Sequence, residues 1–108
     1  MRDDPPLHCV VQTTLPSEAQ AAELARAIVQ ARLGACVQVQ TIRSFYVWQE
    51  RAHDEAEWLL AIKTRCVLYA TLETFIRERH PYETPEIVQL PIAAGSADYL
   101  GWVDANTS

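Results

Sequence analysis

The feature that most restricts the fold of this chain is the segment 35–48, which contains no glycine or proline and is rich in β-branched and aromatic residues. This composition predicts a β-strand, with the valines of 37–40 on one face and the glutamines on the other. The alternation changes phase at 41–42, and we expect a β-bulge there. At about 3.3 Å per residue, the strand would extend about 45 Å.

A strand of this length exceeds what a single small domain can cover. The chain has 108 residues, and a domain of that size has a radius of gyration near 13 Å. The outer part of the strand would therefore protrude with unpaired backbone groups, which promotes aggregation unless another chain covers them. We therefore expect several copies of the chain to assemble.

The remaining segments alternate between strand and helix patterns. Strands are predicted at 7–14, 55–63 and 85–92, helices at 17–33 and 65–79, a turn at 49–54, and a short amphipathic helix after Gly95. The order β-α-β-β-α-β predicts an α+β fold, the ferredoxin-like split βαβ arrangement, with an antiparallel sheet and two helices on one face. We expect one domain over 1–108, with a polar tail at 1–6.

Local signals define the ends of these segments. Ser17 and Ser96 are predicted helix N-caps, and Gly34 is the expected stop of the first helix. In the last strand we expect Ile87 and Val88 to be buried and Pro91 to mark an edge or the end of the strand.

Composition excludes several classes of function. The net charge is −5 and the pI about 5.0, so no basic stripe is present for nucleic acid. No segment resembles a signal peptide or a membrane span. The three cysteines, Cys9, Cys36 and Cys66, are odd in number and widely spaced, which favours reduced thiols and a cytoplasmic location.

The heptapeptide 80–86, His-Pro-Tyr-Glu-Thr-Pro-Glu, concentrates chemical groups in one short segment. Its two prolines restrict the backbone and the residues that precede them. A rigid polar loop between a helix and a strand is typical of a ligand-facing element. The alternative is an ordinary connection in which proline ends the helix.

Short motifs along nearly the whole chain resemble those of the CutA family of divalent-cation tolerance proteins. They are Gly34-Ala35-Cys36-Val37, Ser44-x-Tyr46-x-Trp48, Glu57 with Lys63-Thr64, the segment from His80 to Ile87, Leu90-Pro91 and Tyr99-Leu100-x-Trp102. The resemblance implies a ferredoxin-like subunit in a tight homotrimer, in which long β-hairpins of neighbouring subunits pair. It also implies a link to copper and other divalent metals, and an architecture similar to the PII signalling proteins, which bind small effectors between subunits.

The chain departs from the family pattern at two places. The hairpin turn after Trp48 lacks the usual glycine. The copper ligands proposed for the family are a cysteine at the end of the first strand and paired histidines before the Pro-Tyr element. The corresponding positions are Thr13 and Arg79-His80, so the resemblance carries over only His80 as a ligand.

A divalent metal is the first candidate ligand. His80 and Cys36 supply soft donors and Glu83 or Glu86 an oxygen, which suits Cu²⁺ or another divalent cation. Cys36 has an equally good explanation as a small apolar strand residue. We expect no obligatory cofactor.

A small effector is the second candidate, held in a cleft between subunits. Aromatic walls with a few polar groups are typical of such sites, and the expected lining is Tyr46, Trp48, Glu57, Lys63, Tyr82 and Glu86, with His80 beside it. Lys63 and Glu57 are also expected to form an ion pair at a subunit boundary. No nucleophile elbow, phosphate-binding glycine loop or metalloprotease helix is present, so we do not expect an enzyme.

Overall fold

The computed structural model describes residues 4–108, so the first three residues of the predicted tail lie outside the described part. Its elements are β1 (His8–Leu15), α1 (Glu18–Gln30), β2 (Cys36–Trp48), β3 (Arg51–Arg65), a 3₁₀ turn (Cys66–Leu68), α2 (Tyr69–Arg79), β4 (Val88–Pro91) and α3 (Ala97–Ala105). The predicted order of elements is confirmed, although β3 is longer and β4 shorter than the sequence pattern indicated.

The four strands form one antiparallel sheet in the order β2-β3-β1-β4. This arrangement confirms the α+β prediction and the antiparallel sheet of the split βαβ fold. Pro91 lies in an edge strand, as expected, because proline cannot donate to a second neighbour. Within residues 4–108, no helix is both long enough and apolar enough to cross a membrane.

The hydrophobic core lies between one face of the sheet and the helices. Alternate residues of β1 point into it, because successive side chains of a strand face opposite sides. The fully buried side chains include Val11, Leu15, Ile28, Leu60, Ile62, Leu72 and Ile76. Ile87 packs partly against this core, but Val88 is 43% exposed, so its predicted burial is wrong.

The β2–β3 hairpin is the element that extends from the domain. Its pairing runs without interruption from Cys36 opposite Lys63 to Trp48 opposite Arg51, so the bulge expected at 41–42 is wrong. The first strand pairs with β3 only from Trp58 onwards. The outer half of the hairpin therefore pairs only with itself within the described chain, and the longest dimension of the molecule is 45 Å.

Two residues, rather than the six predicted at 49–54, connect the strands of the hairpin. Gln49 and Glu50 have φ values of 51° and 64°, the left-handed pair of a type I′ turn, whose preferred sequence is Asn-Gly. Each non-glycine residue in this region costs about 1–2 kcal/mol. The sequence signal failed because neither residue is one that normally marks this turn.

Replacing the turn by its preferred sequence should stabilise the protein. We expect Gln49→Asn combined with Glu50→Gly to raise the free energy of unfolding by about 1–2 kcal/mol, because both new residues tolerate positive φ. Guanidinium unfolding at fixed protomer concentration measures the change. Glu50→Ala keeps a Cβ and should give little gain. An equal gain from the alanine variant would show that backbone strain is not the cause.

Both predicted helix N-caps are confirmed. The Ser17 hydroxyl accepts a hydrogen bond from the backbone N–H of Gln20 (3.2 Å), and Ser96 accepts one from that of Tyr99 (3.3 Å). These bonds satisfy donors that the first turn of each helix leaves unpaired.

The first helix ends differently from the prediction. Arg32, with φ of 60°, takes the left-handed position. Its backbone N–H donates to the carbonyl oxygen of Val29, and the backbone N–H of Leu33 donates to the carbonyl oxygen of Ile28. This pair of bonds is a Schellman motif. Gly34 is therefore not the helix stop, and its small size serves packing instead.

Candidate functional site

The loop 80–86 is fastened to the sheet through His80. Its Nε2 lies 2.8 Å from the carbonyl oxygen of Thr14, and its Nδ1 lies 3.1 Å from the backbone nitrogen of Tyr82. Because an amide N–H can only donate, Nδ1 accepts and Nε2 carries the proton. Both nitrogens of a neutral imidazole are thus engaged in holding the loop.

Tyr82 makes the second attachment of the loop. Its hydroxyl donates to Oε2 of Glu57 at 2.7 Å, and Glu57 is only 6% exposed. Burial, and then the Glu57 carboxylate, raise the pKa of Tyr82 far above its ordinary value. The phenol therefore remains protonated and keeps donating at every pH at which the protein is handled.

A cavity of about 700 Å³ lies between this loop and the outer half of the hairpin. Four aromatic and three acidic residues are among those that line it: Phe45, Tyr46, Trp48, Tyr82, Glu57, Glu83 and Glu86. The predicted effector residues other than Lys63 are therefore brought together around one space.

Lys63 lies elsewhere. It is six residues from Glu57 along β3, about 20 Å at strand spacing, and its ammonium donates to the side-chain oxygen of Gln38. Lys63 and Glu57 therefore do not form an ion pair within one copy of the chain, and their pairing across a subunit boundary stays a prediction.

The three predicted metal donors do not converge within one copy of the chain. Cys36 pairs with Lys63, far from Glu83 in the cavity wall, and both nitrogens of His80 are hydrogen bonded. Across residues 4–108, no group of three or more histidine, cysteine, aspartate or glutamate side chains is placed to hold a metal ion. The donor set of one copy therefore does not fit the metal that the resemblance implies.

The other positions at which the family's copper ligands were expected have structural roles. Thr13 is fully buried in β1. The guanidinium of Arg79 lies 3.5 Å from the ring centre of Phe75 and donates to its backbone carbonyl at 3.1 Å. Neither side chain is available as a ligand.

Several cavity residues, among them Thr14, Phe45 and Val47, have no counterpart in the sequence hypotheses. Thr14 lines the cavity and fixes His80 through its carbonyl, a group that every residue has, so no sequence signal exists for it. Phe45 and Val47 are 69% and 72% exposed, and they occupy the two positions that the motif Ser44-x-Tyr46-x-Trp48 leaves unspecified.

The environment of His80 predicts a loss of stability in mild acid. Burial lowers the pKa of His80 below its ordinary 6.5, and the hydrogen bond to Thr14 opposes this more weakly. The unfolded chain therefore takes up the proton first, so stability is full above pH 6.5 and falls as the pH drops below it. We expect a decrease of at most about 1.4 kcal/mol per pH unit.

Unfolding free energies measured between pH 7.5 and 5 test this expectation. His80→Gln removes the titrating group and should flatten this part of the profile. Parallel profiles for the two proteins would show that His80 is not responsible.

Several known proteins resemble this chain in sequence and in fold. The family model described as CutA1 divalent ion tolerance protein matches residues 9–106. A Divalent-cation tolerance protein CutA from Thermus thermophilus is 43% identical over 99 residues, which cover 91% of this chain and 96% of that protein. A crystal structure of CutA1 from the psychrotrophic bacterium Shewanella sp. SIB1 superposes with a TM-score of 0.91 at 34% identity and covers 96% of this chain and 98% of that one.

One relative, from Homo sapiens, is longer than this chain. Human Protein CutA is 43% identical over 91 residues, which cover 83% of this chain but 51% of the human protein. The chain thus spans about half the length of that relative.

Proposed function

Because this chain belongs to the CutA1 divalent ion tolerance family, we propose that it acts in metal homeostasis as a cytoplasmic homotrimer that binds copper or another divalent cation weakly. The family is named for tolerance and not for a reaction, and the proposed function includes no catalysis. The cytoplasmic location rests on the cysteines, which are all free within residues 4–108, as is usual in reducing compartments.

The outer half of the hairpin is the observation that supports a trimer. Phe45 and Val47 are 69% and 72% exposed there, beside backbone groups that have no partner strand within the described chain. At the opposite edge of the sheet, Val88 and Leu90 are each 43% exposed. If the outer hairpin of one copy packs on the β4 edge of the next, each contact joins two different surfaces. Contacts of this head-to-tail kind can close into a ring.

Light scattering tests the assembly. We expect a particle of three times the 12.2 kDa chain mass at micromolar concentration. A stable single subunit would contradict both the trimer and the inter-subunit cleft.

Weak rather than tight metal binding follows from the dispersion of the donors. A divalent ion held firmly needs three or four converging ligands, which residues 4–108 of one copy do not provide. Because both His80 nitrogens are hydrogen bonded and Cys36 lies apart from them, each residue would be a separate weak ligand, and His80 would have to give up one of its hydrogen bonds. Titration of Cu²⁺ against a competing chelator should therefore show slightly weaker binding for His80→Ala and for Cys36→Ala than for the unaltered protein. Equal affinities for all three proteins would exclude both residues as ligands.

A second candidate function is a PII-like module that binds a small effector at the cleft between subunits. The cavity supports it, since about 700 Å³ lies within the range of roughly 300–1,000 Å³ for small-molecule sites. A ligand that binds the folded state raises the melting temperature. A thermal-shift screen of metabolites and nucleotides should therefore identify at least one stabilising compound, and a screen without one would contradict this function.

A further inference from the structure

The charge of the cavity limits what it can bind. Glu57, Glu83 and Glu86 line it, whereas no lysine or arginine of the described residues 4–108 does so. Arg43, on the same hairpin, is held by both oxygens of Asp54 at 2.7 Å. An anionic ligand would therefore meet repulsion from the walls without a compensating cation.

Glu57 is the residue whose burial needs compensation. It is 6% exposed and lines the cavity. Within residues 4–108, its hydrogen bonds engage Oε2 only, through the Tyr82 hydroxyl. A buried carboxylate is costly unless it is paired and fully hydrogen bonded, so its free oxygen is suited to an incoming N–H donor that carries positive charge.

The phenols around the cavity remain neutral next to this carboxylate. Burial and the acidic neighbours Glu55 and Glu57 raise the pKa of Tyr46, as burial and Glu57 do for Tyr82. Their rings, with those of Phe45 and Trp48, therefore form apolar walls rather than additional charges.

Aromatic walls favour the same class of ligand as the carboxylate. The face of an aromatic ring attracts a cation, and aromatic cages bind ammonium groups in this way. The cavity is also too large for a bare metal ion, because about 700 Å³ corresponds to an organic molecule.

We propose that the cavity between the hairpin and the loop 80–86 binds a small organic ammonium ion, with its charged group on Glu57 and its apolar body against Trp48 and Tyr46. This inference rests on the effector function proposed above, and it names the chemical class of the effector.

Three probes with the same phenylpropyl body and different charge test the proposal. Calorimetric titration of the assembled protein at pH 7 should show binding of 3-phenylpropylammonium, binding of 3-phenylpropanol about tenfold or more weaker, and no binding of 3-phenylpropionate. Equal affinities for the three probes, or preference for the anion, would overturn the proposal. So would the absence of all binding, which is the result expected if a basic side chain of a neighbouring copy fills the site.

Variants locate the charged contact. Glu57→Gln keeps an acceptor for Tyr82 but removes the charge, and should reduce ammonium affinity to that of the alcohol while the alcohol is unaffected. Glu83→Gln removes one charge from an exposed lining residue and should have a smaller effect. Trp48→Leu should weaken both the ammonium and the alcohol, and the ammonium somewhat more, because it also loses the attraction of the ring face. Equal losses from the two glutamine variants would overturn the assignment of Glu57.

The same titrations separate this inference from the function on which it rests. If the probes fail but neutral or anionic metabolites stabilise the protein in the thermal-shift screen, the effector function is supported and the ligand class is wrong. If no compound of any charge stabilises it, both are contradicted.

Discussion

Val47→Asp should convert the assembled protein into single subunits in dilute solution. Val47 is 72% exposed on the outer half of the hairpin, where a neighbouring copy is proposed to pack. A carboxylate enclosed there without a cation would lose its hydration at a cost of several kcal/mol, and since each 1.4 kcal/mol is a tenfold loss of affinity, association would weaken about a hundredfold or more. In a separated subunit the same carboxylate would be hydrated, so the fold itself should be retained.

Light scattering at micromolar concentration measures this effect, with circular dichroism to confirm folding. Val67→Asp is a matched control, because Val67 is 76% exposed but lies in the 3₁₀ turn at the other end of β3. It should leave the trimer intact. A trimeric Val47→Asp protein would exclude the hairpin from the interface, and dissociation of both variants would point to a general effect of charge.

Gly34→Ala should lower the free energy of unfolding by about 1–3 kcal/mol, the usual cost of overpacking. A Cβ at this position would lie 2.6 Å from Cγ2 of Ile62 and 2.9 Å from Cγ2 of Ile28. Both isoleucines are fully buried, and a β-branched side chain has little rotational freedom with which to move away. The backbone of the segment between α1 and β2 would have to shift instead.

Gly101→Ala provides the control for this prediction. A Cβ there meets nothing within 4 Å, and an alanine inside a helix such as α3 is favoured over glycine by up to about 1 kcal/mol. Guanidinium unfolding should be compared at one protomer concentration, because assembly contributes to stability. If Gly34→Ala were as stable as the unaltered protein, the close approach of Ile62 would not restrict this position.

The order of the elements was predictable because each one carries its own periodic pattern. The apolar spacing of α1 and the Ser17 cap depend on neighbouring residues only. The alternating burial of β1 likewise follows from its sequence, since one face of the strand must meet the helices. These local patterns were sufficient for the fold class.

The errors arose where a distant contact decides the conformation. The phase change at 41–42 indicated a bulge, but the outer hairpin has no core below it, so apolar alternation carries no information about pairing there. Gly34 has the appearance of a helix stop, yet its role is set by Ile62, a residue distant in the sequence.

The candidate site was predictable in part for the same reason. Tyr46 and Trp48 follow each other at strand spacing, and the loop 80–86 brings Tyr82 to Glu57, so these groups meet as expected. Lys63 does not meet the other site residues, because its distance from Glu57 along β3 exceeds the reach of a side chain. The engagement of both His80 nitrogens depends on the position of Thr14, which no local pattern encodes.

The hairpin also determines where the chain opens most easily. Its outer half contributes no residue to the fully buried core, so in an isolated subunit its amide protons should exchange with deuterium through local opening, well before those of residues 58–65. Assembly would slow exchange in the hairpin selectively. Isotope exchange therefore offers a measure of subunit association that does not depend on particle mass.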